Sequence, residues 1–226
     1  MNTIVLAGGK GERLKPLTLK MPKPMVEVRG NPILWYILKQ LDKFSIRKVN
    51  VMVGYKSEVI KEYFSKNFTK MDINIVDGGD VDIIERIKSI TNSNPKDDAL
   101  VLYGDTISNV DIAKLLEFHK KAPKMGTLTV WPLTTNFGLV EINEDGTIVE
   151  FKEKPKLDKW INIGYFVINK ELFPYLNDFD TFAEFLKFCG SEKLLKAYRH
   201  DYEHFTVNNL VELAHLEKNV DKVFEF

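Results

Sequence analysis

The segment with the most chemistry reads Leu6-Ala7-Gly8-Gly9-Lys10-Gly11-Glu12-Arg13-Leu14, followed by Met21-Pro22-Lys23-Pro24-Met25. Three glycines in four positions let the backbone approach a ligand closely and turn its N–H groups toward anionic oxygens. Arg13 offers a forked contact suited to phosphate, and Lys23 offers a point charge. Pro22 and Pro24 stiffen the chain on both sides of Lys23, which lowers the entropy lost on binding. This chemistry points to a phosphate-bearing ligand. It is not a Walker loop, because no Gly-Lys-Ser/Thr closes it at the required spacing. It is also a poor dinucleotide fingerprint, since Leu14 stands where the third glycine belongs. The plain alternative is an inert strand-to-loop turn, which leaves Arg13 and the proline-bracketed Lys23 without a purpose.

The elements that must position this segment alternate along the first half of the chain. Short apolar runs at residues 3–7, 48–53, 73–76 and 99–103 read as strands. Residues 31–44, 57–64, 81–90 and 112–120 read as helices, the first with Asn31 as N-cap and Pro32 at the first helical position. Alternation of this kind implies right-handed crossovers and a mostly parallel sheet covered on both faces. Such sheets bind ligands beyond the carboxyl ends of their strands. Two loops fall there: residues 8–24 after the first strand, and Gly104-Asp105 after the fourth. The second half changes character, with strands expected at 127–131, 138–142, 147–152 and 161–168 and helices at 181–188 and 209–219. Asn143-Glu144-Asp145-Gly146 is a hairpin signal.

The totals bound the class. The chain has 226 residues, 44% of them hydrophobic and 28% charged, which is ordinary for a globular protein. Basic and acidic residues both number 32, so bulk charge offers no support for nucleic-acid binding. No long uncharged apolar run is present, so no membrane span is expected. The single Cys189 cannot form an internal disulfide, and within its apolar stretch it reads as a small buried hydrophobe. These features fit a cytoplasmic protein. The absence of an evident linker fits one continuous domain over residues 1–226.

The glycine segment together with Pro22-Lys23-Pro24-Met25 resembles the signature of sugar-1-phosphate nucleotidyltransferases, most closely glucose-1-phosphate cytidylyltransferases. Similar stretches follow in the family's order: Pro32-Ile33-Leu34-Trp35, Gly54-Tyr55-Lys56, Tyr103-Gly104-Asp105, Phe137-Gly138, Glu153-Lys154-Pro155, and Asn162 with Gly164-Tyr165-Phe166. The resemblance implies a Rossmann-like, GT-A-like α/β fold with a mostly parallel mixed sheet flanked by helices and a smaller β-rich acceptor part. Residues 1–125 would form the nucleotide-binding half and 126–226 the acceptor-binding half.

The same resemblance implies the roles. Leu6, Ala7, Gly8, Gly9 and Gly11, with Asp77, Gly78 and Gly104, would surround the nucleotide. Arg13 would hold the departing pyrophosphate, and Lys23 would sit beside the attacked α-phosphorus. Lys154 would bind the acceptor phosphate, Glu153 its hydroxyls and Asn162 the sugar ring, with Gly138 nearby. Asp105 would ligate Mg2+, the expected cofactor, because a hard carboxylate suits that ion while phosphate oxygens and waters complete its octahedron. The partners would be a nucleoside triphosphate and a phosphorylated sugar or polyol, with neither nucleic acid nor membrane. Apolar residues near Trp131, Phe166 and Phe182 could be core or the interface of a homodimer.

Two departures narrow these expectations. Asn208 stands where the family's second metal-binding aspartate is expected, so the second oxygen would be neutral. The stretch Val76-Asp77-Gly78-Gly79-Asp80 keeps only part of the cytidylyltransferase pattern, which leaves CTP as the preferred donor ahead of GTP, UTP and dTTP. Heptose, polyol and amino-alcohol phosphates stay open as acceptors. A glycosyltransferase is a rival, with Asp77 and Asp80 as its acidic pair, but it has less use for Arg13 and Lys23. A non-catalytic nucleotide-binding homologue is the second rival.

Overall fold

The computed structural model describes residues 1–67 and 70–224. Its strands and helices run in the order β1 (Asn2–Leu6), β2 (Glu27–Val28), β3 (Asn31–Pro32), α1 (Ile33–Lys43), β4 (Lys48–Val53), α2 (Ser57–Lys66), β5 (Asp72–Asp77), α3 (Ile83–Ser93), β6 (Ala99–Tyr103) and β7 (Thr106–Ser108). The chain continues through α4 (Ile112–Lys121), β8 (Gly126–Thr134), β9 (Leu139–Ile142), β10 (Ile148–Lys152), β11 (Lys156–Ile168), α5 (Phe173–Leu176), α6 (Phe182–Ser191), β12 (Leu195–Arg199), β13 (His204–Thr206) and α7 (Leu210–Asn219).

Seven strands form one central sheet in the order β12-β8-β11-β6-β1-β4-β5. β1 pairs parallel with β4 and β6, and β5 pairs parallel with β4. β11 pairs antiparallel with β6 on one side and β8 on the other, and β12 is parallel to β8. One strand, β11, therefore runs against the other six. The sheet is the expected mostly parallel one.

Alternating residues send side chains to opposite faces. Val5, Leu100 and Leu102 join a core cluster with α1, α4 and Ile60 of α2. Their neighbours Ile4 and Val101 join a second cluster with α3, α5 and α6. Phe166 and Phe182 lie in that second cluster and are buried, as is Cys189; Trp131 packs partly buried against the first.

Several boundaries differ from the sequence reading. Asn31 does not cap α1. Asn31 and Pro32 instead pair with Val28 and Glu27, and Pro32 is the residue before the helix. The local ladder, extended by the Ile33 N–H to Val26 carbonyl bond of 3.0 Å, outcompetes the cap. Helix α3 starts at Ile83 because the Asp82 side chain accepts from the Ile84 N–H at 2.9 Å. Thr181 and Glu184 form a reciprocal capping box at α6. The Asn143–Gly146 turn closes the β9–β10 hairpin, with Gly146 at φ +84° and Asn143 N–H on the Thr147 carbonyl at 2.9 Å. The sequence reading does not anticipate strands β2, β3, β7, β12 and β13 or the short helix α5.

Candidate active site

The glycine loop leaves β1 at the carboxyl edge of the parallel strands and is held there by backbone bonds. Ala7 N–H donates to the Met52 carbonyl at 2.8 Å, and Gly104 N–H donates to the Leu6 carbonyl at 3.0 Å. A Cβ on Gly104 would lie 2.6 Å from the Leu6 oxygen, so only glycine allows β1 and β6 to end this close together. Gly11 adopts φ +63°, a left-handed turn that starts the 3₁₀ turn Glu12–Leu14. Buried Leu14 anchors that turn, and the Thr18 hydroxyl donates to the Gly11 carbonyl at 3.0 Å. The third 3₁₀ turn of this loop, Lys23–Met25, carries Lys23 into the interior.

Four of the residues singled out in the sequence meet at one point. Lys23 Nζ donates to Asp105 Oδ2 at 2.5 Å and to Asn208 Oδ1 at 3.1 Å. Arg13 Nη2 donates to the same Asn208 oxygen at 3.1 Å. Asp105 arrives at the end of β6, whereas Asn208 comes from 185 residues beyond Lys23. The antiparallel pairing of β7 with β13 brings the two together. Asn208 is fixed in turn, its N–H donating to Glu212 Oε2 at 2.7 Å.

Beside this cluster lies a cavity of about 530 Å³. Leu6, Gly8, Gly9 and Gly11 line it together with Lys23, Tyr103 and Asp105. Asp80, Val81, Ile83 and Arg86 close it, and no role was expected for the last three. Arg86 is 5% exposed and donates to the carbonyls of Val53 at 2.7 Å and Gly79 at 2.8 Å. Among the described residues no carboxylate lies within ion-pair distance of it, and burial holds its pKa below the usual arginine range. The guanidinium fills the space a side chain at position 8 would need, since a Gly8 Cβ would lie 1.9 Å from Arg86 Nη1. In sequence Arg86 reads as one more cation on an amphipathic helix. Its partners are carbonyls delivered by the fold, so no local pattern reveals it. At the rim, Lys10 and Asp80 form a 2.6 Å ion pair. Its hydrogen bond raises the lysine pKa and lowers that of the aspartate.

The other expected site residues are less gathered. Asp77 points to α2, accepting from Ser57 Oγ at 2.5 Å, Lys61 Nζ at 3.1 Å and the Gly79 N–H at 3.2 Å. The Ser57 bond, then Lys61, hold its carboxyl below the usual range. Neither Asp77 nor Gly78 lines the cavity, although the Gly78 N–H bonds the Val53 carbonyl at 3.1 Å beside Arg86. Asn162 on β11 reaches the cavity through Tyr103, donating to its hydroxyl at 3.3 Å. Glu153 and Lys154 follow β10 with exposed side chains, 3.8 Å apart. Gly138 sits with them at the foot of the hairpin, where a Cβ would meet the Phe151 ring at 2.6 Å and Glu153 Oε2 at 3.1 Å. None of these three lines the cavity.

A family model described as nucleotidyl transferase matches residues 2–209. The chain belongs to that family. It is 35% identical to the glucose-1-phosphate cytidylyltransferase of Salmonella typhi, with 88% of each chain covered. It is 33% identical to the D-glycero-alpha-D-manno-heptose 1-phosphate guanylyltransferase of Campylobacter jejuni, over 92% of this chain and all of the relative. The solved structure of HddC from Yersinia pseudotuberculosis superposes with a TM-score of 0.75 at 19% identity, covering 97% of this chain and 99% of that one.

Proposed function

We propose that this nucleotidyltransferase joins a nucleoside triphosphate, CTP in preference, to a sugar phosphate, giving a nucleotide sugar and pyrophosphate. The observation that carries this reading is the convergence of Arg13, Lys23, Asp105 and Asn208 beside a glycine-walled cavity. The reaction needs no nucleophilic side chain, because an acceptor phosphate oxygen attacks the α-phosphorus and the bond to pyrophosphate breaks. The protein aligns two polyanions and offsets their repulsion, which is how positioning and electrostatics carry phosphoryl-type transfer. Backbone N–H groups of the glycine loop face the phosphates, Lys23 offsets charge at the α-phosphorus, and Arg13 stabilises the leaving group. Asn162, Glu153, Lys154 and Gly138 form the acceptor side of the same reading.

The donor set suits Mg2+. Asp105 and Asn208 both place an oxygen on Lys23 Nζ, so one charged and one neutral hard oxygen face a common point. Among the described residues no cluster of three or more His, Cys, Asp or Glu forms a closed metal cage. An ion that keeps waters and takes phosphate oxygens fits such an open pair, and it would supply further charge neutralisation at the phosphates.

Arg86 supports the preference for base. A guanidinium only donates, so it favours a base edge presenting two neighbouring acceptors. Cytosine offers O2 and N3, and guanine offers O6 and N7. Uracil and thymine place an N–H between their carbonyls. The acceptor class extends from hexose to heptose, polyol and amino-alcohol phosphates, and the product, made in the cytoplasm, would be a precursor for surface polysaccharide. Phe166 and Phe182 are core, so the structure offers no apolar interface there for a homodimer, which light scattering would test.

Pyrophosphate release, measured for the four common nucleoside triphosphates against a panel of phosphorylated sugars and polyols, tests the proposal. Fastest release with CTP and a sugar 1-phosphate is expected, and release with no combination would end the enzymatic reading. The neutral Asn208 favours one second reading, a nucleotide-binding homologue without turnover. Magnesium-dependent release removes it.

A further inference from the structure

Glu212 lies in the first turn of α7 and never touches the cavity, yet both of its oxygens are committed. Oε2 accepts the backbone N–H of Asn208 at 2.7 Å, and Oε1 accepts Asn209 Nδ2 at 2.9 Å. Asn209 returns a bond, its Oδ1 accepting the Glu212 N–H at 2.9 Å. Among the described residues no cation pairs with this carboxylate. Its neighbour Asn208 then presents the oxygen that receives Arg13 and Lys23, each at 3.1 Å. An amide oxygen held between two cations has no charge to recentre it, so its location depends on the backbone that carries it. That backbone is pinned by Glu212.

We propose that Glu212 is a positioning residue for nucleotidyl transfer: it fixes Asn208, and through Asn208 the spacing of Arg13 and Lys23. The inference rests on reading those two cations as the triphosphate cradle. A helix cap alone would be a simpler role, and the two are separable because the cap and the tether use different atoms. Removing Asn209 side-chain contacts weakens the cap while leaving the bond from Glu212 to the Asn208 N–H. Replacing Glu212 by alanine loses the tether and the Oε1 contact with Asn209 Nδ2 but keeps the cap, because the bond to Asn209 Oδ1 comes from the backbone N–H of residue 212.

Four variants, Asn209→Ala, Glu212→Ala, Glu212→Gln and Lys23→Ala, are compared with wild type in the pyrophosphate-release assay, together with melting temperatures. Asn209→Ala, which loses the cap, and Glu212→Ala, which keeps it, are each expected to melt earlier than wild type. Only Glu212→Ala should lower kcat, on the order of tenfold, with KM for the triphosphate changing less, because sub-ångström displacement of positioning groups costs rate. Glu212→Gln keeps an acceptor at the same reach without the charge, and near wild-type kcat is expected. Should Glu212→Ala not fold, Glu212→Asp replaces it, being one methylene too short for the tether. Equal kcat losses in Asn209→Ala and Glu212→Ala, or wild-type kcat in Glu212→Ala, overturn the proposal. If Lys23→Ala loses activity while Glu212→Ala does not, the cradle stands and the tether falls. If Lys23→Ala is also fully active, the cradle itself is wrong and the tether goes with it.

Discussion

At the residue scale, the proposed chemistry turns on Lys23. It is buried, yet its ammonium meets Asp105 and Asn208 at the edge of the cavity. Replacement by alanine removes a preorganised charge and is expected to lower turnover on the order of a hundredfold or more. Steady-state kinetics on a variant with a wild-type circular dichroism spectrum checks this. Lys23 could be found in sequence because its flanking prolines and upstream glycines are local. His204 could not. On β13 it faces Trp131, and burial, aided by repulsion from His200, pushes its pKa down to about 4. The unfolded chain binds a proton there near 6.5, so between 6.5 and about 4 it holds the proton that the folded chain refuses. Stability is therefore complete above that window, declines as pH falls through it, and loses nothing more from this group below it. The contribution is up to about 3 kcal/mol. Urea unfolding at pH 7.5 and 4.5 should show the loss, and His204→Gln should shrink the difference.

At the scale of elements, what the sequence disclosed was the alternating strands and helices of the first half. β1, β4, β5 and β6 are β-branched or apolar runs ending in turn residues, and their signal is local. β7 and β13 are three residues each and exist because they pair with one another across almost a hundred positions. No periodicity can appear in so short a run, so the device that carries Asn208 to Asp105 was invisible. β12, Leu195–Arg199, alternates weakly and sits at the sheet edge with two of its five residues half-buried. Helix ends were less legible: Asn31 does not cap α1, and the sequence reading does not include the capping box at α6. Thr181 and Glu184 form a capping box, and the Thr181 hydroxyl accepts the Glu184 N–H at 3.3 Å. Thr181→Ala is expected to cost about 1 kcal/mol of stability. Chemical denaturation should show it as a lower midpoint with unchanged slope, and an unchanged midpoint would mean the cap contributes nothing.

At the scale of the whole molecule, the two expected halves are not separate bodies. β8, β11 and β12 come from the second half and extend the sheet begun by β1, β4 and β6. β11 joins them, pairing with β6 at Tyr165–Ile168 and with β8 along much of its length. Severing the halves would leave β6 with an open edge, so we expect one cooperative thermal transition, with calorimetric and van't Hoff enthalpies in agreement. Two resolved transitions would divide the chain into independent units. Among the described residues no helix is long and apolar enough to cross a membrane, and the hairpin β9–β10 stands outside the sheet with its side chains exposed. On the flank formed by α6, Cys189 of that helix is the chain's single thiol, fully enclosed against the second core cluster, with a pKa raised by burial to about 11. A thiol-reactive dye can therefore label the native protein only when that flank opens. Labelling rate as a function of urea would report the breathing of one layer without any engineered probe, and immediate labelling in native buffer would show that the layer is loose.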